Sequence, residues 1–448
     1  MNRTICFLDN VKKLSEGLPF DRLKKRTAES LLDYLAVTGA GAKFQEDKLA
    51  GYYAFAEPES GGFTAVGTGK KLALKEAVFL NGLNGHALDF DDGTNAGIIH
   101  LGSPIFSLLL PLAQKYDISV EDMLRAAVIG YEVSFTMALS IQPGHKALGY
   151  HATGTCGVLG ATVAASYMLG FTDEERYRAF AAACVSASGM LMVLDDGSEL
   201  KPYNVAKSAL LALTSLQLGK AGFKGHPDPL FHSRGYLKMM TGREDIELKP
   251  LMFNNTYAVE KTYTKPYASC RYTHPSIEAA VNIRNKYGVT AETVDSVKIK
   301  TYSLAVSGHD HTDIPTTYSA KMSIPYSVAV GIIFGKAGMQ EFSDELIQNS
   351  DVLALTKKVA VAADDELSAA FPKEQTAIVT LKTTDGRTFT ERVDFPKGEP
   401  ENPLTETEFK DRYDGLFAYA GYDKAASDKI YDHVMNGGNS VRELLEML

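Results

Sequence analysis

The stretch that best indicates the fold of this chain is TGTCGVLGATVAASYMLGF, residues 153–171. Glycine, alanine, serine and threonine make up most of the stretch, which has the composition of a helix with small side chains. Neighbouring helices can approach such a helix closely, because the distance between packed helices depends on the side chains at the contact. The stretch therefore predicts a helix in the middle of a helical bundle.

The rest of the first half also has helical periodicity. Apolar side chains recur at the spacing that places them on one face of a helix, and we find no convincing alternating strand between about residues 20 and 245. Further helices are predicted at 22–39, 72–90, 103–116, 119–139, 172–189 and 204–223.

Local signals predict where several of these helices begin or end. Gly39 is expected to end the first of them. Ser103 and Pro104 have the pattern of an N-cap followed by a first-turn proline. Thr172 and Glu175 have the spacing of a capping box.

The pattern changes near residue 255. Residues 294–307 predict a half-buried strand, because Val297, Ile299 and Thr301 alternate with charged or polar neighbours, and 377–395 predict a hairpin that turns at Asp385 and Gly386. Helices are predicted at 275–288, 323–338 and 343–363 and again in the tail from about 404. The sequence thus predicts a mainly α fold, in which residues 1–260 and 396–448 form a large all-helical domain and residues 261–395 form a smaller inserted α+β domain.

Composition narrows the class of protein. A chain of 448 residues exceeds what one hydrophobic core usually supports, which favours two domains. Its net charge of −9 argues against nucleic acid and anionic membranes as partners. The N-terminus lacks the features of a signal peptide, and the apolar run IFSLLLPLA is too short to span a bilayer. We expect a soluble cytoplasmic protein.

The four cysteines lie far apart in the sequence and none forms a CxxC pair. Neither a zinc ribbon nor a disulfide framework is expected from such spacing. The segment GHDHTD at 308–313 has metal-ligand residue types but no evident partner cluster, and GTGKK at 67–71 lacks the other residues of a phosphate loop. No metal site is predicted.

Residues 86–104, HALDFDDGTNAGIIHLGSP, form the first candidate site. A helix end, a glycine-rich loop and the start of the next helix are expected to bring side chains together. Burying carboxylates is costly unless they are paired. The segment is therefore either a solvated capping loop or the wall of a site that moves protons, and sequence physics leaves both open. The polar residues concerned are Asp89, Asp91, Asp92, Thr94 and His100.

Other candidates lie further along the chain. His151 precedes the small-residue helix, Lys201 stands beside a proline, and four residues cluster near the predicted domain boundary, where clefts often form. Taken singly, each is more simply read as a capping histidine or a surface lysine. The clustered residues are Lys265, Cys270, Arg271 and His274.

Five segments, in this order along nearly the whole chain, resemble the MmgE/PrpD family. They are NGLNGHALDFDD…HLGSP, LGYHATGTCGVLGA, KPYASCRYTH, AKMSIPYSVAVGI and FPKGEPENPLTETEF. The family includes 2-methylcitrate dehydratase, cis-aconitate decarboxylase and iminodisuccinate epimerase. The resemblance implies an all-helical domain built from both chain ends, an α+β lid domain, a homodimer and an active site in the cleft between the domains. It implies no metal or organic cofactor.

The resemblance also assigns residues. Asp89 matches the first aspartate of the family's DFDD motif, and His100 matches the histidine of its HPG motif, with Leu101 in place of proline. The further matches to catalytic positions are His151, Lys201, Lys265 and Tyr326, and the expected substrate contacts are Thr94, Cys270, Arg271 and His274.

Three departures from the family pattern stand out. Thr94 fits only with one inserted residue, because the chain reads DFDDGTN where the family commonly has DFDDTH. Asn204 stands where a histidine is common. Cys270 stands where the decarboxylase branch can carry a histidine. The last two differences argue against a cis-aconitate decarboxylase.

The chemistry that the family shares is proton transfer at a carbon next to a carboxylate. We predict a cofactor-independent lyase of the dehydratase type on a small di- or tricarboxylate, with His151 as a proton-transfer group opposite His100. An epimerase of an iminodisuccinate-like substrate is the next alternative, followed by a decarboxylase. A non-catalytic carboxylate binder is disfavoured, since simple carboxylate binding tends to use arginine.

Overall fold

The computed structural model describes residues 2–56, 59–193, 198–436 and 440–448, which fold as two compact units. The first unit comprises Met1–Met192, Leu200–Thr262 and Thr407–Leu448, so both ends of the chain contribute to it. The second comprises Val193–Glu199 and Tyr263–Glu406. The predicted mainly α class, with a smaller α+β part, is confirmed.

Helices dominate the described part of the first unit. They are Arg3–Glu16, Phe20–Phe44, Glu46–Phe55, Leu74–His86, Gly102–Tyr116, Val120–Ile141, Gly144–Ala147, Ala152–Thr155, Gly157–Met168, Asp173–Ser186, Lys201–Lys220, Tyr236–Thr241, Glu406–Tyr419, Lys424–Met435 and Val441–Glu446.

The small-residue stretch forms a buried helix, as predicted, but with a break near its start. A single turn, Ala152–Thr155, precedes the longer helix Gly157–Met168. A side-chain carbon on Gly160 would lie 2.4 Å from the carbonyl oxygen of Gly130 in the helix Val120–Ile141. The two helices approach this closely because Gly160 has no side chain to separate them.

The helix Val120–Ile141 is long and apolar enough to cross a membrane by length and composition. However, 83% of its most apolar window is buried inside the protein. This burial is what a core helix requires, and length with composition alone is weak evidence for a membrane span.

Two local predictions in this unit have different outcomes. The capping box of Thr172 and Glu175 is present at the start of Asp173–Ser186 and is confirmed. The predicted helix end at Gly39 is wrong, because Phe20–Phe44 continues through it. Gly39 is buried in the middle of the helix, where its small size serves close packing rather than termination.

A hairpin within residues 60–72 contradicts the expectation of no strand in the first half. Ser60–Ala65 pairs antiparallel with Lys70–Leu72. The strands are short, and Lys70 and Lys71 replace the apolar alternation that identifies a strand. The GTGKK segment provides the turn between them, with positive φ at Gly67 and Gly69.

The second unit contains a four-stranded sheet with helices packed against it. Across the sheet the strands run in the order Val359–Ala363, Val294–Thr301, Ala377–Thr383, Thr388–Val393. The first pair is parallel and the other two pairs are antiparallel. The helices are His274–Tyr287, Ser303–Val306, Thr317–Met322, Ile324–Phe334, Ser350–Thr356 and Asp365–Ala370.

Residues 343–363 are only partly helical, so the helix predicted there is wrong at its end. The helix Ser350–Thr356 stops before Val359–Ala363, which is the parallel edge strand. Val359 is buried against the sheet core, which favours the extended conformation of this valine-rich run over its weak helical pattern.

The second unit reaches Glu406, beyond residue 395 where the sequence pattern placed its end. The turn that follows the last strand is held within this unit, since the N–H of Thr264 donates to the carbonyl of Gly398 at 2.9 Å. A side-chain carbon on Gly398 would clash with the carbonyl group of Thr264, so this close approach requires glycine.

Candidate active site

The loop between the helices Leu74–His86 and Gly102–Tyr116 carries the predicted aspartates. Asp89 has a φ of 51°, in the left-handed region that few residues other than glycine adopt. Its side chain is fully buried. A carboxyl group held inside the protein on an unusual backbone is a feature that clusters at functional sites.

Asp89 forms a buried ion pair with Lys201, the first residue of the helix Lys201–Lys220. The Lys201 ammonium donates to Asp89 Oδ1 at 2.7 Å, and the two side chains are 7% and 1% exposed. His100 Nε2 lies 3.5 Å from the same oxygen. The structure thus brings together three of the predicted catalytic residues, Asp89, His100 and Lys201.

Asp91 connects two histidines to this pair. Its Oδ1 lies 2.8 Å from Nδ1 of His86 and 3.3 Å from Nδ1 of His100. The hydroxyl of Ser103 donates to Oδ2 at 2.7 Å. The predicted N-cap role of Ser103 is therefore wrong: the helix begins at Gly102, and the hydroxyl positions Asp91 instead.

Burial and charge set the protonation of this group. Burial alone would raise the pKa of Asp91, but the neighbouring His100 and His86 hold it well below its usual value. Burial lowers the pKa of His86 to about 4, against the opposing effect of Asp91. Neutral His86 therefore donates from Nδ1 to an ionised Asp91. Within the described residues its buried Nε2 has no hydrogen-bond partner.

Asp92 and Thr94 stabilise the loop itself. Asp92 accepts hydrogen bonds from the N–H of Gly102 and the hydroxyl of Tyr131, at 2.8 and 2.7 Å, and burial raises its pKa to about 6. It therefore caps the helix that follows. Thr94 exchanges backbone hydrogen bonds with Ile99, and its hydroxyl oxygen accepts from the N–H of Gly97. The structure places Thr94 in this turn, and its predicted substrate contact stays a prediction.

His151 lies beside the same cluster and is held by Asn204. Its ring stacks against that of His86 at a centroid distance of 6.0 Å, and the His86 ring is 4.5 Å from the His100 ring. Asn204 Nδ2 lies 3.2 Å from both Nδ1 of His151 and the carbonyl of Met190. Lys207 donates to Asn204 Oδ1, which fixes the same orientation of the amide from its other side.

These contacts determine how His151 can act. Its Nδ1 accepts from Asn204, so a neutral His151 carries its proton on Nε2. Burial, with Lys201 and the other two histidines, lowers its pKa well below the usual value. His151 is therefore a neutral ring whose Nε2–H can donate a hydrogen bond. The proton-transfer role predicted for it stays a prediction.

The same cluster has the composition of a metal site. One ligand atom from each of His86, Asp89, Asp91 and His100 lies within 4.8 Å of the others, and imidazole with carboxylate suits zinc or iron. However, the Lys201 ammonium already lies 2.7 Å from the Asp89 carboxylate. A divalent ion bound there would lie close to this positive charge, so the donor set fits a metal poorly.

Two predicted substrate contacts in the second unit, Arg271 and His274, form hydrogen bonds with neighbouring protein groups. Arg271 uses all five of its N–H donors within the unit, on the side chains of Glu399 and His274 and the carbonyls of Pro396 and Lys397. His274 accepts from Arg271 at Nδ1 and donates from Nε2 to a backbone carbonyl. Arg271 therefore holds the turn after the sheet, and His274 supports the Arg271 side chain. The substrate contacts predicted for both residues stay predictions.

The remaining predicted residues also belong to the second unit. Tyr326 is fully buried, and its hydroxyl donates to the carbonyl of Glu341 at 2.9 Å. Burial raises its pKa, so it stays protonated. Lys265 is also buried, and Cys270 contacts His309. The catalytic roles assigned to Lys265 and Tyr326 stay predictions.

Sequence reasoning placed Asp91 and His86 near the site but gave neither a role. Asn204 was noted only as a departure from the family pattern. The sequence did contain one indication that His86 and Asp91 are close, since they are only five residues apart across a predicted helix end. The contact between Asn204 and His151 joins positions 53 residues apart, and no local pattern predicts such a pair.

Comparison with known proteins identifies relatives along most of the chain. Residues 13–249 match the description MmgE/PrpD N-terminal domain, and residues 267–436 match MmgE/PrpD C-terminal domain. A cis-aconitate decarboxylase of Aspergillus terreus is 25% identical over 462 residues, covering 97% of this chain and 93% of the relative. The Homo sapiens cis-aconitate decarboxylase is 23% identical, with 92% and 86% covered. The 2-methylcitrate dehydratase of Escherichia coli (strain K12) is 23% identical, with 75% and 74% covered.

Proposed function

This chain belongs to the MmgE/PrpD family, and from that premise we propose that it is a cofactor-independent lyase of the dehydratase type. Its substrate is a small di- or tricarboxylate with a hydroxyl group next to the carbon that loses its proton. One observation carries the proposal: His100 lies between the carboxyl groups of Asp91 and Asp89, beside the Lys201 ammonium.

His100 is the proposed proton-transfer group. A proton next to a carboxylate is weakly acidic, and removing it leaves negative charge on the carboxylate oxygens. The ionised carboxylate of Asp91 lies 3.3 Å from Nδ1 of His100 and favours a proton on that nitrogen. Nε2 can then accept the substrate proton and deliver it to the departing hydroxyl as water leaves. The products are water and an alkene conjugated to the carboxylate.

Lys201 and His151 are the proposed stabilisers of the developing charge. The buried ammonium of Lys201 supplies positive charge, and the Nε2–H of His151 supplies a hydrogen bond. Fixed donors in a site shielded from water stabilise such an anion more strongly than water would. A neutral histidine can supply this hydrogen bond, because the contact of Nδ1 with Asn204 leaves the ring proton on Nε2.

Decarboxylation is a second candidate, favoured by the cis-aconitate decarboxylases that align with nearly the whole chain. Epimerisation needs only proton exchange at the same carbon.

Proton NMR in D₂O with a panel of hydroxylated and unsaturated polycarboxylates distinguishes dehydration, decarboxylation and epimerisation. We expect a conjugated alkene from a hydroxy acid. Carbon dioxide release would indicate a decarboxylase, and deuterium exchange without net product would indicate an epimerase. Silence across the panel would contradict all three.

Turnover is expected to survive chelation, because Lys201 provides the cation beside Asp89. Dialysis against EDTA should change the rate by less than about twofold, and adding Zn²⁺ or Fe²⁺ afterwards should not raise it. Elemental analysis of the purified protein serves as the control. A loss of activity restored by one metal would assign the cluster to that metal.

An Asn204→Asp variant is expected to reverse the donor geometry at His151. A carboxylate in place of the amide would require Nδ1 of His151 to carry a proton and would favour the charged ring, raising its pKa by about 1–3 units. We expect turnover to fall about tenfold or more. Nitrogen-15 NMR of labelled histidines measures the tautomer and the pKa directly. Asn204→Ala, which adds no charge, is the matched control and should leave the pKa of His151 low. An unchanged tautomer in Asn204→Asp would contradict the donor assignment.

A further inference from the structure

Cys270 and His309 form a pair in the second unit that the proposed reaction does not use. The sulfur of Cys270 lies 3.4 Å from Nε2 of His309. Cys270 is half-buried, whereas the His309 ring is buried and packs edge-on against Tyr272. A nucleophile within hydrogen-bond reach of a base, with the base held by a third group, is the arrangement that activates thiols in enzymes.

The hydrogen bonds of His309 fix the direction of its contact with sulfur. Nδ1 lies 2.8 Å from the carbonyl of Ser307, which only accepts, so Nδ1 carries the proton of the neutral ring. Nε2 therefore has a lone pair and faces the Cys270 thiol. The thiol donates, and the imidazole can take its proton.

The backbone holds this pair in place. The N–H of Cys270 donates to the carbonyl of Lys321, and the N–H of Ile324 donates to the carbonyl of His309.

We propose that Cys270 and His309 form a nucleophilic dyad that adds to electron-poor alkenes, with unsaturated carboxylic acids as the chemical class. His309 Nε2 takes the thiol proton while sulfur bonds to the β-carbon of the alkene. The π electron pair moves to the α-carbon, which then receives the proton from His309. Thiol and alkene combine into a thioether without any oxidant or reductant. The dyad does not depend on the proposed lyase activity, although that reaction would release an alkene of this class.

N-ethylmaleimide is the probe, with maleate as the carboxylate analogue. The wild-type protein is treated for short times at neutral pH, and modification of each cysteine is followed by peptide mass spectrometry. Cys6 is the internal reference because it is also half-buried. We expect Cys270 to react about tenfold faster than Cys6 or more, and maleate to form a thioether at Cys270 first. A wild-type Cys270 that reacts no faster than Cys6 would overturn the proposal.

His309→Gln tests the base. This variant should slow Cys270 about tenfold while leaving Cys6 unchanged. His311→Gln is the matched control, since His311 bonds to Ser319 in the same loop and should alter neither rate. A Cys270 rate in His309→Gln equal to that of the wild type would overturn the role of His309. Cys156 and Cys184 are buried, so modification of either one shows that a variant has unfolded. In that case the relative rates of Cys270 and Cys6 in the wild-type protein decide the test.

Discussion

A Lys201→Met variant is expected to lose turnover by about 10³-fold and to be less stable by about 3–5 kcal/mol. The ammonium is the positive charge nearest to Asp89 in the structure, at 2.7 Å, and both side chains are buried. Removing it leaves the Asp89 carboxyl group in a dry environment, where its pKa rises. The folded variant then holds a proton that the unfolded chain releases above about pH 4. Its stability deficit should therefore grow as the pH rises from about 4 towards 7, which urea unfolding at several pH values measures.

Two further variants separate stability from catalysis at this pair. Lys220→Met, at the exposed end of the same helix, is the surface control and should change stability by less than about 0.5 kcal/mol. Adding Asp89→Asn to Lys201→Met replaces the buried carboxyl group with a neutral amide, so stability should recover while turnover stays lost. A Lys201→Met protein with wild-type turnover would remove Lys201 from the mechanism.

The helical part of the fold could be predicted because its signals are local. The small residues of 153–171 and the capping box of Thr172 and Glu175 indicate helices without knowledge of distant contacts. The hairpin of Ser60–Ala65 with Lys70–Leu72 escaped prediction because its strands are short and polar. Similarly, Val359–Ala363 became a strand through pairing with Val294–Thr301, a partner that lies some 60 residues earlier in the sequence.

The candidate site also has a part that the sequence could predict and a part that it could not. Motif resemblance selected Asp89, His100, His151 and Lys201, and the structure brings these together in the first unit. What the pattern could not provide is which atom faces which. The tautomer of His151 depends on the Asn204 amide. Whether the N–H donors of Arg271 are all used within the protein depends on the turn after the last strand. Such roles follow from three-dimensional hydrogen bonding, which residue types alone do not determine.

An Asp91→Asn variant is expected to lower kcat by about 10³–10⁴-fold with a much smaller change in KM. A buried aspartate that orients a catalytic histidine typically contributes this much. The amide oxygen can keep the bond from Ser103, but the amide N–H groups then face the histidines. His86 and His100 would have to present lone pairs at Nδ1, which moves the proton of a neutral His100 to Nε2 and removes its basic site. Steady-state kinetics and nitrogen-15 NMR of His100 measure the two effects separately.

Asp92→Asn is the matched control for this variant, because Asp92 is the next residue and is equally buried but caps a helix instead of orienting a histidine. It should lower stability by about 1–2 kcal/mol and leave kcat within about threefold. If Asp91→Asn lost activity only in proportion to its loss of folded protein, as Asp92→Asn should, Asp91 would be a structural residue. If kcat fell in Asp91→Asn while the His100 tautomer stayed unchanged, the loss would have another cause than ring orientation. We expect Asp91→Asn to show a large loss in kcat and an altered His100 tautomer, and Asp92→Asn to keep nearly the wild-type kcat. These results together follow only if Asp91 holds His100 in its proton-accepting form.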